Sequence, residues 1–128
     1  MAPVWLGNAV VLAMHGRLLA EHGGASGIRD SATLDSALAR PQHLLAYGDP
    51  DIYDLAAAYT SGIVRNHPFV DGNKRTGFMA GYVFLACNNL QLTATEVDVV
   101  QVVTLLAAGE IGESEYAAWL RENCEYTS

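Results

Sequence analysis

The chain is short of cations, and that shortage narrows what it can do. Seven Lys and Arg stand against fourteen Asp and Glu, a formal charge of −7. That balance argues against general nucleic-acid binding, and none is expected, because such binding rests on neutralising many phosphates with Lys and Arg. Cysteine is equally scarce: Cys87 lies in the apolar run 82–87 and Cys124 in a charged tail. Neither belongs to a close Cys/His cluster, so both read as reduced thiols rather than a disulfide framework or metal site. No apolar run reaches the roughly 18 residues that mark a membrane span, and the most apolar stretch, 97–108, is broken by Asp98, Gln101 and Thr104. No basic region precedes the first apolar stretch, so no export signal is expected and the cytoplasm is the expected location. Charged residues make up only 16% and hydrophobic ones 51%, which excludes disorder. At 128 residues the chain is expected to form a single domain, 1–128.

What remains is mostly helical periodicity, and the expected class is all-α, a compact bundle of about six helices. Val10, Val11, Met14, Leu18 and Leu19 trace one face of a first helix that Gly23-Gly24 ends. A second, short helix is predicted from about Asp30 to Ala39, stopped by Pro41. Residues 42–51 then read as a loop, with Asp49-Pro50 opening the third helix and Pro at its first position. That helix, to about Asn66, carries Leu55, Ala56, Tyr59 and Ile63 and is expected to cross the core. A fourth, about Asn73 to Asn88, is apolar nearly all round from Phe78 to Cys87, a pattern that predicts a central, buried helix. Thr95 with Asp98 gives a capping-box-like start to a fifth, Glu96 to Ala108. Beyond Gly109 and Gly112, Tyr116, Trp119 and Leu120 mark the last. No repeat or linker is evident.

Between the third and fourth helices lies the turn-rich segment His67-Pro68-Phe69-Val70-Asp71-Gly72. It feeds a helix start, whose first N–H groups lack partners and carry the positive end of the dipole. Gly72 permits close backbone approach, so this is a ready anion site. Helix starts favour acids, yet Lys74 and Arg75 stand here, a mismatch that a bound anion would relieve. Arg65, Lys74 and Arg75, three of the seven cations, fall within eleven positions, and Lys74 is the only lysine. Arg75 suits bidentate phosphate binding and Lys74 a point charge. Asp71 offers one carboxylate, enough for Mg²⁺ shared with substrate phosphates. His67 can take a proton from an attacking hydroxyl. Together these make a toolkit for phosphoryl or nucleotidyl transfer. Taken singly, a His before Pro is a turn residue and Asp-Gly-Asn an ordinary turn and cap. Phe69 and Val70 read as core plugs. For Asn73 two readings stay open, helix cap or phosphate contact; for Arg65, nucleotide contact or solvated charge at a helix carboxyl end.

The segment His67-Pro-Phe-Val-Asp71-Gly-Asn73-Lys74-Arg75-Thr resembles the Fic/Doc signature H-x-F-x-[DE]-G-N-[GK]-R. Likeness extends along the chain: His15 with Leu18-Leu19, Gly23-Gly24, Gly27-Ile28-Arg29-Asp30, residues 36–41 and 108–111 all look like the Doc (death-on-curing) branch, toxins of bacterial and phage toxin–antitoxin pairs. The resemblance implies that His67 is the general base, Asp71 the Mg²⁺ ligand, and Asn73 and Arg75 phosphate contacts, with ATP as donor. Most Fic proteins transfer AMP, carrying Gly where this chain has Lys74 and a second Arg where it has Phe78. Both departures match Doc, where they accompany a reversed ATP and phosphorylation of a protein hydroxyl, with elongation factor Tu as the target of the best-known members.

Doc proteins also imply a partner, a Phd-like antitoxin. The internal inhibitory helix of many Fic proteins, [ST]-x-x-x-E-[GN], has no match here: Glu122-Asn123 follows Ala118 where Ser or Thr is required. Other readings are a Fic-type AMP transferase, a catalytically silent binding module, and a metal-dependent hydrolase. The last is weakened because His15, His22 and His43 are scattered, and His15 and His22 read as surface or packing residues. Residues 42–51 occupy the chain position of a Fic target-docking flap, and a plain connecting loop is equally compatible.

Overall fold

The computed structural model describes residues 2–127. Among them run six helices: α1 Asn8–His22, α2 Ser31–Tyr47, α3 Ile52–Asn66, α4 Asn73–Cys87, α5 Glu96–Ala108 and α6 Glu113–Glu122. The all-α expectation holds, with one addition. Two three-residue strands, β1 Leu90–Leu92 and β2 Cys124–Tyr126, pair antiparallel with Leu90 opposite Tyr126. Strands this short carry too little alternation to register as a period of two.

α3 is the hub, touching α2, α4, α5 and α6. Every residue from Leu55 to Val64 is buried. It starts where Asp51 accepts the Asp54 N–H and the Asp54 carboxylate accepts that of Asp51, a reciprocal cap. Asp51 is therefore the N-cap, and Pro50 precedes the helix instead of occupying its first position. Arg121 on α6 bonds the Asp51 carboxylate at 2.7 and 3.0 Å, tying the last helix to this start.

The expected break at Pro41 is not found. α2 runs through Pro41 to Tyr47 and ends before Gly48. A helical proline loses one backbone bond, but Pro41 is buried along with Leu34, Ala37 and Leu38. Ala37 faces Gly62 of α3 so closely that a Cβ on Gly62 would sit 3.1 Å from the Ala37 Cβ. Packing against α3 thus overrides the local breaker. The predicted loop 42–51 shrinks to residues 48–51. α4 also differs: Phe84, Leu85, Ala80 and Gly81 are buried, whereas Tyr82, Ala86 and Cys87 are exposed. Its apolar surface is wider than its buried face. In α1 the buried stripe is Val11 and His15, and Val10 faces solvent. Thr95 caps α5 through the Asp98 N–H.

α3 and α4 approach at small residues. Thr60 donates its hydroxyl to the Gly77 carbonyl at 2.8 Å, and a Cβ on Gly81 would lie 2.4 Å from the Thr60 Oγ1 and 3.1 Å from the Ala56 carbonyl oxygen. Gly81→Ala is predicted to destabilise the fold by about 2 kcal/mol, lowering the melting temperature by roughly 5–10 °C in a calorimetric scan. An unchanged melting temperature would mean that the two helices separate freely.

Candidate active site

The link between α3 and α4 is built from conformations that only certain residues tolerate. Pro68 disfavours right-handed helix at the residue before it, and His67 takes the left-handed region, φ 50° and ψ 57°. Its N–H closes α3 on the Ile63 carbonyl at 3.1 Å, so the backbone stops the helix while the side chain, exposed, leaves the bundle. At the other end Gly72, φ 78°, is the N-cap of α4 and has no side chain to cap with. The N–H groups of Asn73, Lys74 and Arg75 therefore have no acceptor inside the helix, and the first turn holds no acid. An anion-binding start is left open.

The loop is strapped by residues 25–30. Arg29 and Asp30 N–H groups both donate to the Pro68 carbonyl, at 2.8 and 3.1 Å, and Val70 donates to Gly27; Ile28 forms a bridge with Phe69. The Arg29 guanidinium donates to the His67 carbonyl at 2.6 Å and the Asn66 carbonyl at 2.7 Å, satisfying the carbonyl end of α3, where a cation is favoured. Sequence reading did not single Arg29 out as a site residue; nothing local marks it, because its partners lie 37 and 38 positions away.

The Asn73 side chain is tied to the loop backbone. Its Oδ1 accepts the Phe69 N–H at 3.0 Å and its Nδ2 donates to the Phe69 carbonyl at 2.9 Å, both buried. The side chain clamps the loop against its own helix, with one amide hydrogen and one oxygen lone pair uncommitted. Phe69 is fully buried, as expected, but Val70 is 54% exposed and lines the cavity instead of the core. With Phe69 committed to the interior, the next residue along the loop faces outward.

A cavity of about 590 Å³ brings together His67, Asp71, Gly72, Asn73, Lys74 and Arg75, with Phe78, Val99, Val100 and Val103 forming its apolar wall. That volume suits a small ligand. Arg65 is not among the lining residues; it sits against the α5–α6 turn, where a Cβ on Gly109 would be 3.4 Å from a guanidinium nitrogen. Of its two readings, the charge at a helix carboxyl end fits the geometry, and the last turn of α3 is where it lies. Residues 42–51 contribute nothing to the cavity lining. Cys124 is held by burial at a pKa of about 11, which keeps it a thiol at neutral pH.

Asp71 is exposed, and its carboxylate takes two backbone donors, Ala25 N–H at 3.2 Å and Gly72 N–H at 2.8 Å. These two bonds hold its pKa below the ordinary range, helped by the nearby charge of Arg75. A carboxylate has about four acceptor positions, so lone pairs remain for a metal. Among the described residues no three His, Cys, Asp or Glu side chains gather. The donor set therefore fits Mg²⁺ held jointly by one carboxylate and a substrate's phosphates, and not a metal caged by protein alone.

Residues 5–85 match the Fic/DOC family, and the chain belongs to that family. A relative in Mycolicibacterium smegmatis, Toxin Doc, is 46% identical over 74 residues, 56% of this chain. The alignment covers 57% of that relative, so the chain matches little more than half its length.

Because the folded Asp71 pKa is depressed, the stability it confers is present above the unfolded pKa and lost as pH falls through the folded one. Denaturant melts of wild type and Asp71→Asn are expected to differ at pH 7 and to converge toward pH ~3, below the ordinary carboxylate range. A difference that stays constant with pH would mean the carboxylate's charge contributes nothing to the strap.

Proposed function

We propose that the protein is a Doc-like toxin that transfers the γ-phosphoryl group of ATP to a hydroxyl of another protein. One observation carries this reading: a base, a carboxylate, an uncapped helix start and two cations line a single cavity. His67 would accept the proton of the attacking hydroxyl. The N–H groups at the start of α4 and the Arg75 guanidinium would hold phosphate oxygens, Lys74 adding a point charge. Asp71 would hold Mg²⁺, which when bound neutralises charge on the phosphates. Positioning and charge compensation then supply most of the catalysis.

Two residues favour phosphoryl transfer over AMP transfer. Lys74 brings bulk and charge where Gly would leave room for inner phosphates. Phe78, half-buried in the cavity wall with its ring 5.9 Å from that of Tyr82, presents carbon where AMP-transferring Fic proteins carry a second Arg. The relative's name, Toxin Doc, supports a toxin of a toxin–antitoxin pair. A Phd-like antitoxin is accordingly the partner we assign, and elongation factor Tu the first target to try, with translation arrest as the consequence. No helix among the described residues is long and apolar enough to cross a membrane, which is compatible with action in the cytoplasm.

The test is direct. Purified protein, Mg²⁺ and a bacterial lysate are incubated with ATP labelled at the γ- or the α-phosphate. Label should reach a protein from the γ position only, and His67→Ala should lower transfer by roughly 100-fold or more, the scale of a lost general base. Transfer from the α position would establish AMP transfer instead. Lys74→Gly should weaken γ transfer at least tenfold, since a charge-assisted phosphate contact is worth about 1.5–3 kcal/mol; unchanged transfer would remove the role given to Lys74.

A further inference from the structure

His15 lies on α1, 56 positions from Asp71, and is 95% buried (5% exposed) beside the cavity without lining it. Two contacts define its setting. The imidazole stacks on the Phe69 ring, centroids 3.8 Å apart and planes 10° from parallel. Its Nε2 is 2.8 Å from the Asp71 carbonyl oxygen. A carbonyl only accepts, so Nε2 carries the proton and donates it.

The consequence follows from the planarity of the peptide bond. The Asp71 carbonyl and the Gly72 N–H belong to one rigid unit. Fixing that carbonyl toward α1 turns the Gly72 N–H the opposite way, where it meets the Asp71 Oδ1 at 2.8 Å. The other carboxylate oxygen takes the Ala25 N–H at 3.2 Å. Glycine at φ 78° offers little steric resistance to reorientation of the preceding peptide plane. Something outside the loop must choose its direction, and the imidazole is the group in place to do so. One bond from another helix therefore bears on the peptide that joins the carboxylate to the N-cap of α4, beside the Ala25 and Gly72 bonds to the carboxylate itself.

We propose that His15 is a positioning residue: its hydrogen bond to the Asp71 carbonyl sets the 71–72 peptide plane, and through it the direction in which the Asp71 carboxylate is presented to the cavity. The inference rests on the reading of Asp71 as the Mg²⁺ ligand for its functional meaning, but its structural content can be tested without turnover.

His15→Phe keeps an aromatic ring on Phe69 and deletes the donor; His15→Gln places an amide nitrogen near the position of Nε2 and restores one. Amide hydrogen exchange is followed by NMR for Ala25 and Gly72, the two donors to the carboxylate. In His15→Phe both should exchange at least tenfold faster while the buried amides of α3 keep their protection, and His15→Gln should recover most of the difference. In the transfer reaction, His15→Phe should raise the Mg²⁺ concentration for half-maximal rate roughly tenfold, the scale of a lost outer contact to a metal ligand, with less effect at saturating Mg²⁺. Unchanged exchange at Ala25 and Gly72 would overturn the proposal. So would a loss of protection spread evenly through α3 and α4, which would make His15 a packing residue only. If the wild type transfers no phosphoryl group, the reaction assigned above fails, and the exchange result still decides the role of His15.

Discussion

The close crossing of α3 and α4 is the constraint on which the remaining structure depends. Ala56, Thr60 and Val64 of α3 meet Gly77 and Gly81 of α4 at distances that exclude even a methyl group. Two helices held that tightly must be joined by a link of fixed length and direction. His67 in the left-handed region and Gly72 at the N-cap are the two ends of that link. The cavity lies at its outer side, so the carboxyl end of one buried helix and the amino end of another meet at one spot. Rigid interiors hold chemistry better than loops do alone, and here a loop borrows rigidity from both neighbours.

A second layer of control comes from further away in the chain. Residues 25–30 bind the loop through backbone bonds, Arg29 satisfies the carbonyls of Asn66 and His67, and His15 bonds Asp71. None of these groups lines the cavity. They explain how a loop whose own residues favour turns is held in one arrangement, with its charged side chains outward and Phe69 inward. Among the groups that face the cavity are the His67 side chain, the first N–H groups of α4, Lys74, Arg75 and part of the Asp71 carboxylate. Local rules are broken where a ligand would repair them. Cations at a helix start and a cap position without a capping side chain are unfavourable alone and favourable with a bound anion.

Much of this was legible in the sequence, for reasons that differ by element. α5 and the α3–α4 link were readable because their signals are local: Thr95 before an apolar run, and Pro, Gly and Asn at fixed offsets. The joint residue pattern from His67 to Arg75 was readable because all of it falls within nine positions. What was not legible depends on distant partners. Pro41 looked like a stop because the buried surface that compensates it belongs to α3. Arg65 carried two readings because its place in the chain is near the loop, and the contact of its guanidinium with Gly109 depends on how α5 and α6 fold back. His15 looked like an ordinary helix residue, since its partner is 56 positions away. The bonds of the Asn73 amide to the Phe69 backbone were not legible either, because they depend on how the loop folds back on its helix.

The proposed reaction requires the open start of α4 to receive the phosphates of a nucleotide. Amide NMR of the full chain, titrated with ATP and Mg²⁺, addresses it most directly. The largest shifts are expected on the Asn73, Lys74 and Arg75 amides, with the Gly72 amide following and those of α2 and α6 unmoved. Saturable binding whose shifts fall elsewhere, or no binding at millimolar ATP (on the scale of the weakest enzyme–substrate affinities), would contradict it.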